Sequence, residues 1–510
     1  MNFFDAVKKT ALYDERSVTE NGAVGYKTSG HALLDLNFAV ASLRSADEDK
    51  IRRMFRDAYN EDPETAVLWL FFARDVRGGL GERRLFRICA KWLYEHIAFN
   101  DALVSLIPEY GRYDDWWAVL PQDRAAYAVH SQFIMDVRNM RAKNPISLLA
   151  KWMPSVNTSS KASRELARVF AGELGLTDRN YRRKLSEMRK YLDVTERKMS
   201  ANEWGEIRYE SVPSRANLIY NKAFLRHDEK RREAFLNKVN AGEAKMNAGV
   251  LFPHDIVHSY NGKTRADSGL EAMWKSLPDT VKGDESTIVV ADGSGSMLAK
   301  VGESGVTALE VANALAIYFA ERCSGEFKDR YITFSARPKF VELDVGNSLF
   351  DRLRIARQHN EVSNTNVKAV FELILKTAVQ NGMKQEDLPA NVLIISDMEF
   401  DSCAVTNGLS IYICSSNRPS KTLFEMIAAE YRTAGYKMPR LVFWNVNSRT
   451  GTIPVRENEL GVALVSGFSP NVCKMVMSGK TDPYECLLET LHSERYKPVR
   501  DALLGSRGEF

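Results

Sequence analysis

Asp292, Ser294 and Ser296 follow one another at every second position in Thr287-Ile-Val-Val-Ala-Asp292-Gly-Ser294-Gly-Ser296-Met297, and their types suit the holding of a hard cation. One carboxylate and two hydroxyls form an all-oxygen, low-charge donor set, which Mg²⁺ accepts together with water. Gly293 and Gly295 let the backbone turn tightly enough for the three short side chains to converge. The plainer alternative is a Ser/Gly turn that closes a strand. The apolar, β-branched run Ile288 to Ala291 must position them, and it suits a strand covered on both faces, whose carboxyl end is where open α/β sheets bind ligands.

Two later stretches supply companions. Asn364-Thr365-Asn366 opens a helical run from Val367 to Val379, and Asn391-Val-Leu-Ile-Ile-Ser396-Asp397 is a second apolar strand ending in an acid. In a parallel sheet both would lie at the same edge as Asp292. The order Asp-x-Ser-x-Ser, then Thr, then strand-terminal Asp resembles the metal-ion-dependent adhesion site (MIDAS) of the von Willebrand factor A fold. The resemblance implies that Asp292, Ser294, Ser296, Thr365 and Asp397 hold Mg²⁺ or another divalent cation, directly or through water. It also implies a sixth position open to an acidic residue of a protein partner.

The chain of 510 residues is long enough for two or three domains and a large core, and its composition, 45% hydrophobic and 27% charged, is ordinary for a globular protein. No apolar run is long enough to span a membrane, and Met1-Asn-Phe-Phe-Asp-Ala-Val-Lys-Lys lacks the basic-then-apolar order of a signal peptide. Cys89, Cys323, Cys403, Cys414, Cys473 and Cys486 form no Cys-x-x-Cys pair, which argues against zinc ribbons and disulfide frameworks and for a cytoplasmic setting. Net charge is +4, but residues 131 to 240 hold 23 Lys/Arg against 13 Asp/Glu, so this span carries +10 and the remainder −6. The middle of the chain is therefore the candidate polyanion-binding region.

Residues 1–30 are polar and Gly-punctuated, as expected of an arm. From Ala32 onward the pattern is helical: Leu33 to Leu43, then Ile51, Met54, Phe55 and Tyr59, then Ala66 to Phe72. Successive helical hairpins with short connections suit a degenerate, HEAT-like α-solenoid over 31–280. Two motifs interrupt it. Arg74-Asp75-Val-Arg77-Gly-Gly-Leu-Gly81-Glu82-Arg83 is read as helix capping with buried ion pairs, phosphate contact being the alternative. Tyr110-Gly-Arg112-Tyr-Asp114-Asp115 is read as a capped, packed helix start rather than an acid/base pair.

These two motifs, with Ala150-Lys-Trp152-Met-Pro154 and an A-type domain behind them, resemble an uncharacterised group of TROVE-related proteins. The wider family includes the Ro autoantigen. The resemblance implies a ring of helical repeats joined to the A domain, binding of small structured RNAs on a basic outer face, and threading of single-stranded ends of aberrant RNAs. On this reading Lys151, Lys161, Arg164, Arg168, Arg182, Arg183, Lys184, Arg189 and Lys190 face phosphates, while Tyr181 and Tyr191 stack on unpaired bases. A solvated helix face is the alternative.

His254 and His258 stand four apart, but Asp255 occupies the position of a metalloprotease Glu and no third ligand is evident, so they are read as a packed helix. After a polar boundary at Ser276 to Ser286, strands and helices alternate. Strands are expected at Ile288–Ala291, Tyr331–Phe334, Lys339–Leu343, Val392–Ser396, Ile411–Cys414, Leu441–Asn445 and Val462–Val465. Helices are expected at Thr307–Cys323, Val367–Val379, Lys421–Tyr431, Asn471–Met477 and Tyr484–Leu504. The expected fold class is thus α plus α/β: an arm (1–30), a helical domain (31–280), a doubly wound A domain (286–480) and a C-terminal helix and tail (481–510).

No catalytic residue is assigned. A phosphatase of the haloacid dehalogenase type needs a second acid where Ser294 stands, and a serine-hydrolase elbow needs Gly-x-Ser-x-Gly. Gly262-Lys-Thr and Gly479-Lys-Thr look like phosphate-loop ends, yet Val257 and Lys474 stand where the first Gly is required. The expectation is a non-catalytic RNA-binding protein, the alternative a Mg²⁺-dependent protein-interaction scaffold without RNA.

Overall fold

The computed structural model describes residues 16–18, 24–96, 99–281, 286–302, 305–334, 337–343, 348–360, 366–399, 423–448, 462–469 and 482–505. Thr365 and the segments expected to form the strand Ile411–Cys414 and the helix Asn471–Met477 lie outside them. A mostly helical region precedes a mixed six-stranded sheet flanked by helices. Contacts group the chain into two compact units that are not consecutive in sequence: residues 1–66 with 251–491, and residues 67–250 with 492–510.

In the first unit, β1 (Arg16–Val18) and β2 (Val24–Tyr26), both in the stretch expected as an arm, pair antiparallel. The sheet contains β3 (Thr287–Asp292), β4 (Arg330–Phe334), β5 (Phe340–Glu342), β6 (Asn391–Ser396), β7 (Arg440–Asn445) and β8 (Val462–Ser466), in the order β5-β4-β3-β6-β7-β8. Among the described residues of this sheet, only the β4–β5 pairing is antiparallel, as expected on either side of Arg337-Pro338. All six residues of β3 and of β6 are buried, as their unbroken apolar runs require of central parallel strands. The helix Ala308–Ala320 packs against β3, β4 and β6. Its start is fixed by a capping box: Thr307 Oγ1 accepts from Glu310 N at 3.2 Å and Glu310 accepts from Thr307 N at 2.8 Å.

The helix Ala32–Leu43, which its sequence position assigns to the helical half, belongs to this same unit. It packs against β7 and β8. Asn445 Nδ2 donates to Phe38 O at 2.8 Å, Ala41 N donates to Ser466 Oγ at 3.1 Å, and the Arg44 guanidinium lies 3.8 Å from the Phe468 ring centroid. The stretch expected as one helix from Tyr484 to Leu504 is two, Pro483–Leu491 and Lys497–Gly505. The helix breaks at Ser493, whose backbone is extended.

The second unit is helical, and its two unusual motifs lock together. Asp115 is fully buried and accepts from Arg74 Nε (2.9 Å), Arg87 Nε (2.7 Å) and Arg112 N (3.0 Å), while Asp114 takes Arg87 and Arg112 at 2.9 and 2.7 Å. Burial lowers the Arg74 pKa and the Asp115 charge opposes that fall. Asp75 accepts from Arg495 Nε at 2.9 Å and Nη2 at 3.1 Å, which ties the C-terminal segment to this unit. The glycines are dictated by space: a Cβ on Gly79 would lie 2.0 Å from Phe72 O, and one on Gly111 2.5 Å from Asp115 Oδ2. Buried ion pairing, the reading favoured from the sequence for the first motif, also takes in the second, which the sequence showed only as a capped, packed helix start.

Candidate cation site and basic surface

From β3 the sheet grows through β4 to β5, and the chain then returns to place β6 on the opposite side of β3. The topological switch point therefore lies between the carboxyl ends of β3 and β6, where open α/β sheets bind ligands. Asp292 is the last residue of β3, and Asp397 directly follows β6. Ser294 N donates to Asp292 Oδ1 at 2.9 Å, and the Ser294 and Ser296 hydroxyls are 2.9 Å apart. Ser396, absent from the expected site, donates to Asp292 Oδ2 at 2.6 Å and accepts from Met398 N at 3.0 Å. Glu399 N donates to Asp397 Oδ1 at 3.3 Å, across a turn in which Met398 has φ +63°.

Asp292 and Asp397 are both buried. Burial, and then the negative charge of Asp397, push the Asp292 carboxyl up to about 7. A hard cation at this point would relieve both penalties, and carboxylate and hydroxyl oxygens are the donors such a cation takes, so Asp292, Ser294, Ser296 and Asp397 fit the implied group. Thr365, the fifth expected ligand, lies outside the described residues. Among the described residues no cluster of three or more His, Cys, Asp or Glu is placed to hold a metal. His254 is buried with its ring 5.1 Å from that of Phe468, and His258 Nδ1 lies 3.1 Å from Glu310 Oε1, so this pair packs its helix as expected.

The expected RNA-facing residues divide. Tyr181 is fully buried and donates its hydroxyl to Pro154 O at 2.9 Å, so it offers no ring face to a base and is a core residue. Arg189 donates to Ala150 O (2.8 Å), Met153 O (2.7 Å) and Ser155 Oγ (3.1 Å), holding the Trp152–Pro154 segment rather than facing solvent. Arg164 donates to Thr158 O and Ser159 O, both at 2.7 Å, and half-buried Lys151 lies beside the Trp152 ring. Lys161 pairs with Glu165 (3.9 Å), Arg168 with Asp178 (3.6 Å), and Arg183 and Lys184 with Glu187 (3.8 and 2.8 Å). Arg182 and Lys190 are exposed. The signal for Tyr181 was available: with Leu185 and Met188 it forms an i, i+4, i+7 buried stripe on the helix Asp178–Tyr191.

Comparison with known proteins gives two family models on adjoining parts of the chain. One domain of unknown function (DUF2828) matches residues 19–97 and 131–288, and another (DUF7788) matches residues 286–498. An uncharacterized protein, L728, of Acanthamoeba polyphaga mimivirus is 28% identical over 528 residues, covering 95% of this chain and 88% of that one. The crystal structure of the Deinococcus radiodurans Ro (RSR) protein aligns with 85% of this chain and 92% of its own at 15% identity, with a TM-score of 0.31, a likeness too distant to assign fold or function. No helix among the described residues is long and apolar enough to cross a membrane.

Proposed function

We propose that the chain is a non-catalytic, cytoplasmic RNA-binding protein of TROVE type, whose helical unit presents cations to small structured or aberrant RNA and whose sheet is an A-type domain holding Mg²⁺. The observation that carries the reading is the segregation of charge, +10 over residues 131 to 240 in a chain of net +4. Lys161, Arg168, Arg182, Arg183 and Lys190 keep exposed side chains within that span. Asp292, Ser294, Ser296 and Asp397, with Thr365, are the ligands of the proposed ion. Bound there, it supplies positive charge to two buried carboxyls and an open position for an acidic residue of a partner. The repeat-built ring belongs to the same reading.

The test is recovery of nucleic acid from the purified native protein, followed by sequencing after nuclease and salt controls. A discrete set of small or 3′-extended RNAs is expected. Protein free of RNA that also binds none at low salt refutes the reading in favour of the interaction scaffold.

A further inference from the structure

The longest acid-free stretch of the basic span is not the helix that the sequence motif emphasises. Residues 137–164 contain six Lys/Arg and no Asp or Glu. Arg138 and Arg141 are exposed in the last turn of the helix Gln122–Arg141. The helix ends on Lys143, exposed and at φ +59°, where Lys143 N donates to Met140 O at 3.1 Å and Asn144 N to Asn139 O at 2.8 Å. The same helix ending elsewhere in this unit carries Gly175, Asp193, Asn202 and Gly242; a long cation is the bulkiest residue to take it, since Gly, Asn and Asp adopt positive φ most readily. Tyr191 donates its hydroxyl to Asn144 O at 2.9 Å, which brings the end of the helix Asp178–Tyr191, with exposed Lys190, to the same turn.

We propose that Arg138, Arg141 and Lys143, with Lys190 and Tyr191, form the docking surface for single-stranded nucleic acid, a location that rests on the RNA-binding reading above. Among the described residues, none of these four cations has an ion-pair partner, whereas Lys161, Arg168, Arg183 and Lys184 all do. The acids nearest to them in sequence, Asp136, Glu187 and Asp193, are engaged, Glu187 by Arg183 and Lys184. Asp136 is buried and accepts from Ser147 N and Oγ and from Gln132, while Asp193 pairs with Lys198 at 2.7 Å and Arg208 at 3.2 Å. Complementing the helix carbonyls would account for cations in a last turn. It leaves unexplained the apolar surface exposed in the same stretches: Tyr191 (41%), Leu148 (50%) and Met135 (55%). Cations beside an open aromatic ring suit a strand whose phosphates and unstacked bases are both accessible. A duplex hides its base faces, and an acidic peptide has no use for the ring.

The probes are a fluorescein-labelled oligouridylate and a duplex of equal length, titrated against the full chain at several salt concentrations. The double variant Arg141→Glu/Lys143→Glu is expected to bind the oligouridylate at least about tenfold more weakly, with a salt slope lower by about 1.4, from two phosphates at about 0.7 each. Tyr191→Ala is expected to lose about tenfold at unchanged slope, while Tyr191→Phe, which keeps the ring and loses the bond to Asn144, retains affinity. The control is Lys222→Glu/Arg226→Glu, an equal charge change at exposed positions on the helix Ser214–His227. Equal loss in that control, displacement of the probe by oligoglutamate, or preference for the duplex overturns the proposal. Wild-type binding with an unaffected Arg141→Glu/Lys143→Glu variant overturns this surface and leaves the RNA reading standing. Absence of binding by the wild-type chain overturns both.

Discussion

Asp292→Asn separates the electrostatics of the switch point from its geometry. In the metal-free protein, burial and Asp397 carry the Asp292 carboxyl from 3.8 to about 7. At about 1.4 kcal/mol per tenfold change in proton affinity, this corresponds to an upper limit of about 4 kcal/mol, and to about 2–4 kcal/mol once relaxation of the site is allowed. The folded carboxyl binds its proton more tightly than the unfolded one. The metal-free protein therefore holds this stabilisation below about 4 and loses it as pH rises through about 7. The amide keeps an oxygen for Ser294 N and cannot ionise, so the variant should escape that loss. At pH 8 without divalent ions it should melt about 5–10 °C above the wild type, the two converging toward pH 5. Mg²⁺ at a hundred times its dissociation constant should raise wild-type stability by about 2.7 kcal/mol and leave Asp292→Asn unmoved. Thermal melts by circular dichroism, in chelator and in Mg²⁺ at pH 5 and 8, read all four states. An equal Mg²⁺ response in both proteins refutes the ligand assignment. Equal wild-type and variant melts at pH 8 in chelator refute the electrostatic account.

Three further substitutions test the packing around the two sites. Asp115→Ala leaves buried Arg74 without its carboxylate and should cost about 3–5 kcal/mol in urea unfolding of the helical unit, against less than about 1 kcal/mol for Glu165→Ala in an exposed pair. Gly79→Ala places a methyl 2.0 Å from Phe72 O, so the chain should express without a cooperative melt, while Gly172→Ala, which meets nothing within 4 Å, should retain one. Thr307→Ala removes the cap beneath the sheet and should cost about 1 kcal/mol with an unchanged denaturant slope.

The strands were legible because their residues obey a local rule: unbroken runs such as Val392 to Ile395 have no stable place except between two covered faces. The same rule located Asp292 and Asp397, since strand-terminal acids in a parallel sheet share an edge. Ser396 was missed because a serine at the end of an apolar run reads as punctuation until its neighbour across the sheet is known. The RNA-facing set failed where charge was counted without direction. Tyr181 and Arg189 lie in the most basic helix, yet the first points into the core and the second binds three atoms of the chain before it. The joining of the helix Ala32–Leu43 to β8 left no sequence signal, because nothing local in Ala32–Leu43 names β8 as its neighbour.

That joining has a consequence for how the protein is made. The bonds from Asn445 to Phe38 and from Ala41 to Ser466 span 407 and 425 residues. The helix Ala32–Leu43 leaves the ribosome hundreds of residues ahead of β8, and Leu33, Leu34, Leu36, Phe38, Val40 and Leu43 are all buried in the finished molecule. Its apolar surface must wait while the intervening residues are made, tens of seconds at ordinary elongation rates, before the strand that covers it exists. A ribosome paused before Ser466 should therefore carry a nascent chain that is prone to aggregate and a good client for a chaperone, and one released beyond it should not.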